Sequence, residues 1–324
     1  MKASLHSLLE SHRGSEITVH IIGQQLSDQT ITDIDRMVRS FEQEVEFIEM
    51  PDFSAMLGKQ IDPKQYTLSA FSRLFVDSLI DPSIERIIYL DCDTVVKADL
   101  SKLWDFELDE AVIGAVNDCR NWRYLRHLGL PKTATYINSG VLLIDLVKFR
   151  SGNWQQKFRA GILRYDGLLE FPDNDLICML MQNDLAILPP EYNMISPVRM
   201  CSYSQVNQLR RPSNYYSREA YDHAKRNPAI LHYTTFFGVH GRPWHEGYEE
   251  VDGSEFCRHI AATGGTLRPP VDVSSLRRLA IRSINGSLRP TALRSIGIVH
   301  SVLKPNLSRS TRRRIRTIQA EDAE

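Results

Sequence analysis

Apolar positions along the chain follow two rhythms that alternate. ITVHIIG (17–23) is a β-branched apolar run and predicts a strand. The next segment, DQTITDIDRMVRSF, sets Ile31, Ile34, Met37, Val38 and Phe41 on one helical stripe and predicts a helix over 28–42. VEFIE (45–49) returns to strand. Ahead of these, ASLHSLLESHR (3–13) carries Leu5, Leu8 and Leu9 at helical spacing and stops at Gly14. PDFSAMLGKQIDPK is rich in turn residues and predicts a loop. A helix through TLSAFSRLFVDSLI (67–80) is expected to end at Asp81-Pro82. Strands follow at 86–90, 111–118 and within 136–146, helices at 153–165 and 173–183, and a short late strand at ILHY (230–233). Strands alternating with helices predict an α/β fold.

The strand at 86–90 changes the picture most. RIIYL runs directly into Asp91-Cys92-Asp93. A run this apolar is expected inside a sheet, and open α/β sheets bind ligands at the C-terminal ends of their strands. Two carboxylates there suit Mn²⁺ or Mg²⁺ and, through the ion, a diphosphate. The spacing alone says little, because 22 Asp residues give three Asp-x-Asp triplets: Asp33/Asp35, Asp91/Asp93 and Asp173/Asp175. The acids of the first lie on the polar side of a helix stripe. The second is singled out by the strand that precedes it, against the plainer reading of a strand-ending turn.

Other polar groups close apolar segments. Asn138 precedes Ser139 and Gly140, small residues that let a ligand approach the backbone; a plain Asn-Ser-Gly turn fits as well. Asp173 and Asn174 open a helix, where Asp173 alone reads most simply as a cap. His232 ends ILHY, and Arg242-Pro243-Trp244 follows ten residues on. A lone His is more often structural, but an imidazole beside two carboxylates makes a good Mn²⁺ set. An arginine suits a diphosphate.

Composition sets the limits. A hydrophobic share of 42% and a charged share of 24% are ordinary for a soluble globular protein of 324 residues. No apolar run is long enough to span a membrane, and no signal peptide is visible. Five cysteines without a C-x-x-C pair fit a reducing cytosol. The net charge of −1 hides a tail, 271–317, with eleven Lys and Arg against Asp272 alone. Interleaved with leucine and isoleucine, it suits an anionic membrane surface at the cytoplasmic face; a solvated tail is the plainer reading. Without aromatic residues for stacking, it does not suit nucleic acid.

Together these segments resemble glycosyltransferase family 8, the retaining sugar-nucleotide transferases, and within it the bacterial lipopolysaccharide galactosyl- and glucosyltransferases. SRLFVDSLI (72–80), RIIYLDCDTVVKADLSKLW (86–104), IGAVND (113–118), YINSGVLLIDLVKFR (136–150), DNDLICMLM (173–181) and HYTTFFGVHGRPWH (232–245) occur in family order. The resemblance implies a Rossmann-like GT-A fold with a mostly parallel mixed central sheet. It also implies transfer of a hexose from a UDP-sugar to a saccharide or glycolipid acceptor.

Residue by residue, it implies that Asp91, Asp93 and His232 hold the metal and that Cys92 lies in the same donor-binding turn. Arg73 and Asn138 are then at the donor sugar, and Asp118, Asp173 and Asn174 around the reacting centre. Arg242 stands at the diphosphate in place of the family's lysine. Asn174 stands where the lipopolysaccharide enzymes commonly have Gln.

The chain opens on a helix, whereas nucleotide-binding α/β folds open on a strand whose loop grips the nucleotide. The family's first strand is therefore expected upstream of Met1. The catalytic domain is expected over 1–265 and the basic tail over 266–324. Two rivals remain: a metal-dependent nucleotidyltransferase, which should show a Gly-rich phosphate loop, and a non-catalytic sugar-binding relic.

Overall fold

The computed structural model describes residues 1–61, 68–212, 214–235, 242–248, 253–270 and 309–321. Among these, nine strands form three sheets. β1 (Thr18–Gly23) and β2 (Glu44–Glu49) pair in parallel, joined by the helix Asp28–Arg39, whose Ile34 and Val38 are buried. β3 (Arg86–Leu90), β5 (Ile113–Asn117), β6 (Ile137–Asp145) and β7 (Leu185–Leu188) make a four-stranded sheet in the order β3-β6-β5-β7. β4 (Thr94–Val96), β8 (Met194–Ile195) and β9 (Ile230–His232) form the third, in the order β4-β9-β8. Ile22 and Ile48 pack on the same core as Ile87 and Tyr89, yet β1 pairs with β2 alone and β3 with β6 alone.

The α/β class and the mixed sheets agree with expectation. The predominance of parallel pairing does not extend to the four-stranded sheet, where β6 runs antiparallel to both β3 and β5 and only β5–β7 is parallel. The direction of β6 matters for the site. It brings the start of β6 against the end of β3, where the Asp91 N–H donates to the Gly140 carbonyl at 2.8 Å.

Three local expectations change. The segment expected to be one helix over 67–80 is a 3₁₀ helix, Leu68–Leu74, followed by the short helix Val76–Leu79. Four consecutive residues from Phe71 to Leu74 are buried, so burial here does not follow a single helical stripe. The loop expected after β2 contains the helix Phe53–Leu57. Asp52 caps it, its buried Phe53 and Leu57 lie four apart, and Gly58 ends it at φ 76°. The boundary expected after residue 265 does not detach the C-terminal helix Arg309–Glu321. Ile315 is buried in the main core with Leu125 and Leu128, Ile318 packs beside it, and Gln319 Nε2 donates to the Leu128 carbonyl at 2.6 Å. Most of the basic segment 271–317 lies outside the described residues. No helix among them is long and apolar enough to cross a membrane.

Candidate active site

Four chain segments converge at the ends of β3 and β5 and the start of β6. The turn after β3 carries Asp91 and Asp93. His232 ends β9, and antiparallel pairing sets it opposite Thr94, one residue beyond Asp93. His232 Nε2 lies 3.1 Å from Asp93 Oδ1 and 3.7 Å from Asp91 Oδ2. Two ligands about 2.1 Å from one ion and at right angles are about 3 Å apart, so this set fits a single divalent cation. Gly140 makes room for it. A Cβ at that position would overlap His232 Cε1 and come within 2.8 Å of Asp91 Oδ2. The small residue was expected to admit a ligand; instead it admits the imidazole and carboxylate.

Cations surround the pair. Arg73, buried, donates from Nη2 to Asp91 Oδ1 at 2.7 Å and from Nη1 to both the carbonyl and hydroxyl of Ser139 at 2.7 Å. The same Nη1 is 3.3 Å from Asp173 Oδ2. Burial works against its charge, but Asp91, Tyr89 and Asp173 more than offset it and raise its pKa far above the usual value. Arg242 Nη1 lies 2.6 Å from Asp93 Oδ2 and also donates to the Tyr233 carbonyl. Burial pushes the Asp91 carboxyl up, although Arg73 pulls it down. Burial acts on Asp93 as well, but His232 and Arg242 outweigh it and hold that carboxyl well below the usual range. Cys92 lies exposed in the turn between the two acids.

The helix Pro172–Leu180 brings the next acid in. Asp173 is not the cap that its position suggests. It is buried and accepts from Ser139 Oγ at 2.7 Å. The reach-back to the helix start is made by Asp175, which accepts from the Glu170 and Phe171 N–H groups and from the hydroxyls of Tyr124 and Tyr136, both at 2.7 Å. Burial lifts its pKa to about 6 in spite of these donors. Asn174 Oδ1 accepts from the Ser139 N–H at 2.6 Å, leaving Nδ2 as its hydrogen-bearing atom. Asn138 Oδ1 accepts from the Gly140 N–H at 3.1 Å. Asp118, just beyond β5, pairs with Arg120 at 3.2 Å, whose guanidinium lies over the Phe171 ring at 4.2 Å. All ten residues singled out from the sequence therefore lie in or beside this cluster. Ser139 was expected only to leave space and Asp175 only as part of an Asp-x-Asp triplet, and Asn193 was not expected here at all. Asn193 hydrogen-bonds both His232 and Asn138.

A second group of potential ligands, His6, Glu10 and His259, joins the N-terminal helix Lys2–Ser11 to the helix Gly253–Ala262. Here the nitrogens satisfy one another. Arg258 is 2.7 Å from Glu10 and 3.1 Å from His259 Nε2. Arginine can only donate, so the His259 proton sits on Nδ1 and points to His6 Nδ1 at 2.9 Å. This is a closed hydrogen-bond relay.

The chain matches the sequence profile of glycosyl transferase family 8 over residues 1–247. It is 27% identical over 265 residues to general stress protein A of Bacillus subtilis, covering 81% of this chain and 88% of that protein. It is 27% identical over 184 residues to lipopolysaccharide 1,2-glucosyltransferase of Escherichia coli K12, covering 56% of this chain but only 50% of that one. Among solved structures it is similar to galactosyltransferase LgtC in complex with donor and acceptor sugar analogs. There the TM-score is 0.66 at 19% identity, over 85% of this chain and 93% of that chain. The bifunctional glycosyltransferase WbbM follows at a TM-score of 0.64 and 18% identity, over 80% of this chain and 46% of that chain.

Proposed function

Because this chain belongs to glycosyl transferase family 8 and is a glycosyltransferase, we propose that it transfers a hexose from a UDP-sugar to a saccharide or glycolipid hydroxyl, with retention at the anomeric carbon. The observation that carries the reading is the convergence of Asp91, Asp93 and His232 on one point, with Gly140 clearing the space. Two carboxylates and one imidazole suit Mn²⁺, or Mg²⁺, and such an ion would act as a Lewis acid toward the departing diphosphate.

The chain's own groups divide the remaining work. Arg242, beside Asp93, places a second positive charge where the anionic leaving group would lie. Asn138 and Asn174 each have their amide oxygen engaged by a backbone N–H, so both present N–H groups to sugar oxygens. Asp173, locked by Ser139 and Arg73, and Asp118, braced by Arg120, accept from sugar hydroxyls. A sugar held by two donors and two acceptors is oriented for attack. The lipopolysaccharide glucosyltransferases among its relatives support an acceptor in lipopolysaccharide or another surface glycan. The test is UDP release from a panel of UDP-hexoses with MnCl₂. Turnover of at least one UDP-hexose is expected. Turnover of a different nucleotide-sugar class, with every UDP-hexose inert, would overturn the donor assignment.

The exposed side of the C-terminal helix supports a peripheral membrane contact. Arg313, Arg314 and Arg316 are exposed there. Nearby, Arg123, Arg126 and Lys132 surround Trp122. Each basic side chain near an anionic bilayer contributes about 1 kcal/mol, so sedimentation with phosphatidylglycerol vesicles should fall as salt rises. Equal sedimentation at low and high salt would remove this part of the reading.

A further inference from the structure

The strongest unassigned relationship in the site is a chain of hydrogen bonds behind the metal set, and it rests on the metal reading above. Asn193 is buried at the mouth of β8, where parallel pairing sets Ile195 beside His232. Its side chain faces two groups. Nδ2 lies 2.9 Å from Asn138 Oδ1 and 3.4 Å from the Asn138 carbonyl, and Oδ1 lies 2.9 Å from His232 Nδ1.

Backbone groups at one end settle every orientation in this chain. The Gly140 N–H can only donate, so the atom of Asn138 beside it is Oδ1. The Asn138 carbonyl can only accept, and so can Asn138 Oδ1, so the atom of Asn193 facing them is Nδ2. The oxygen of Asn193 is therefore turned to His232, and His232 Nδ1 must carry a proton to meet it. Nε2 is the ring nitrogen left toward Asp91 and Asp93. A reversed amide would set Nδ2 against the His232 ring and an oxygen against two acceptors, in a buried site where each unmade bond costs about 1–3 kcal/mol.

We infer that Asn193 is the positioning residue of the metal centre: it fixes the proton of His232 on Nδ1 and so presents Nε2 to the ion. The same bonds run from the Gly140 N–H through Asn138 to Asn193 and His232, tying β6 of the larger sheet to β9 of the smaller one. The metal ligand and the Asn138 amide offered to the donor sugar are therefore set by one network. Outer partners that orient a ligating histidine change metal affinity by about 10–100-fold when removed.

The test uses the full-length protein, with Mn²⁺ affinity measured by calorimetry and the Nδ1–H proton of His232 followed by NMR in metal-free protein. Asn193→Ala removes the acceptor. It should weaken Mn²⁺ binding by about tenfold or more and expose the Nδ1–H to rapid solvent exchange. Asn193→Asp keeps an acceptor for His232 but sets its second oxygen against the two Asn138 acceptors, so it should lose thermal stability yet bind Mn²⁺ clearly more tightly than the alanine variant and retain a protected Nδ1–H. An alanine variant that binds Mn²⁺ as tightly as wild type with its Nδ1–H still protected would overturn the inference. So would equal losses in both variants, since generic packing would then explain them. If wild type and Asp93→Asn show the same Mn²⁺ titration, the metal reading itself fails, and the Nδ1–H signal still tests Asn193 separately.

Discussion

The space above Gly140 is occupied by the imidazole of His232, and a single methyl group there would overlap it. The overlap involves Cε1 and Nδ1 of the ring and Oδ2 of Asp91, all parts of the same site. Overpacking of this kind typically costs about 1–3 kcal/mol. It must be relieved by turning the ring or moving β6. Gly140→Ala should therefore keep its circular dichroism spectrum and weaken Mn²⁺ binding by about tenfold or more, as expected when a ligating histidine loses its orientation. Unchanged affinity would mean that His232 is not held against Gly140 in solution.

Arg73 joins Asp91, Asp173 and Ser139 in one buried arrangement. Removing one partner of a buried ion pair leaves an uncompensated charge and typically costs about 3–5 kcal/mol. Urea unfolding of Arg73→Met should show a loss of about that size, at the upper end if both acids stay ionised. The effect is expected without donor or metal present, which separates it from a residue that acts only on the sugar. A loss under about 1 kcal/mol would show that the two acids need no partner there.

Two buried groups should give opposite pH slopes. His259 has its pKa lowered to about 4, first by burial and then by Arg258 and His6, against the pull of Glu10 and Glu255. His6 is lowered as well, by burial and by Arg258 and Arg13, with Glu10 opposing. A lowered histidine contributes stability that is full above its unfolded value of 6.5 and lost as the pH falls toward 4. Asp175 is raised from 3.8 to about 6, so its contribution is full below 3.8 and lost as the pH rises through 6. Melting temperatures from pH 4 to 7 should show the acid-side loss shrink in His259→Phe. The alkaline-side loss should shrink in Asp175→Asn. Parallel profiles for wild type and both variants would contradict the two assignments.

Much of this site was legible because its signals are local. A β-branched run leading into two carboxylates reads as a strand with its acids at the end of a sheet, and β3 spans the five residues expected. Residues whose roles depend on distant partners were not legible. Asp173 sits where a cap belongs, and only the fold shows that Asp175 reaches back to the helix start while Asp173 turns to Ser139 and Arg73. Asn193 follows Pro189-Pro190-Glu191-Tyr192, and no periodicity marks it. Its meaning comes from β8 lying parallel to β9. The C-terminal helix was hidden by its arginines, because Ile315 and Ile318 give a stripe too narrow to stand out in so basic a segment.

The central claim is that Asp91, Asp93 and His232 hold a divalent ion that sugar transfer requires. The most direct measurement is UDP release from a UDP-hexose by wild type and Asp93→Asn, each titrated with MnCl₂ after chelator treatment. Asp93 lies at a strand end and outside the apolar core, but it pairs with His232 and Arg242, so the variant should lose some stability while keeping the wild-type circular dichroism spectrum at the assay temperature. The account predicts that chelated wild type is inactive, that Mn²⁺ restores it along a saturable curve, and that Asp93→Asn stays inactive at every concentration. Turnover by Asp93→Asn at the wild-type rate, or turnover by wild type that chelator does not touch, would contradict it.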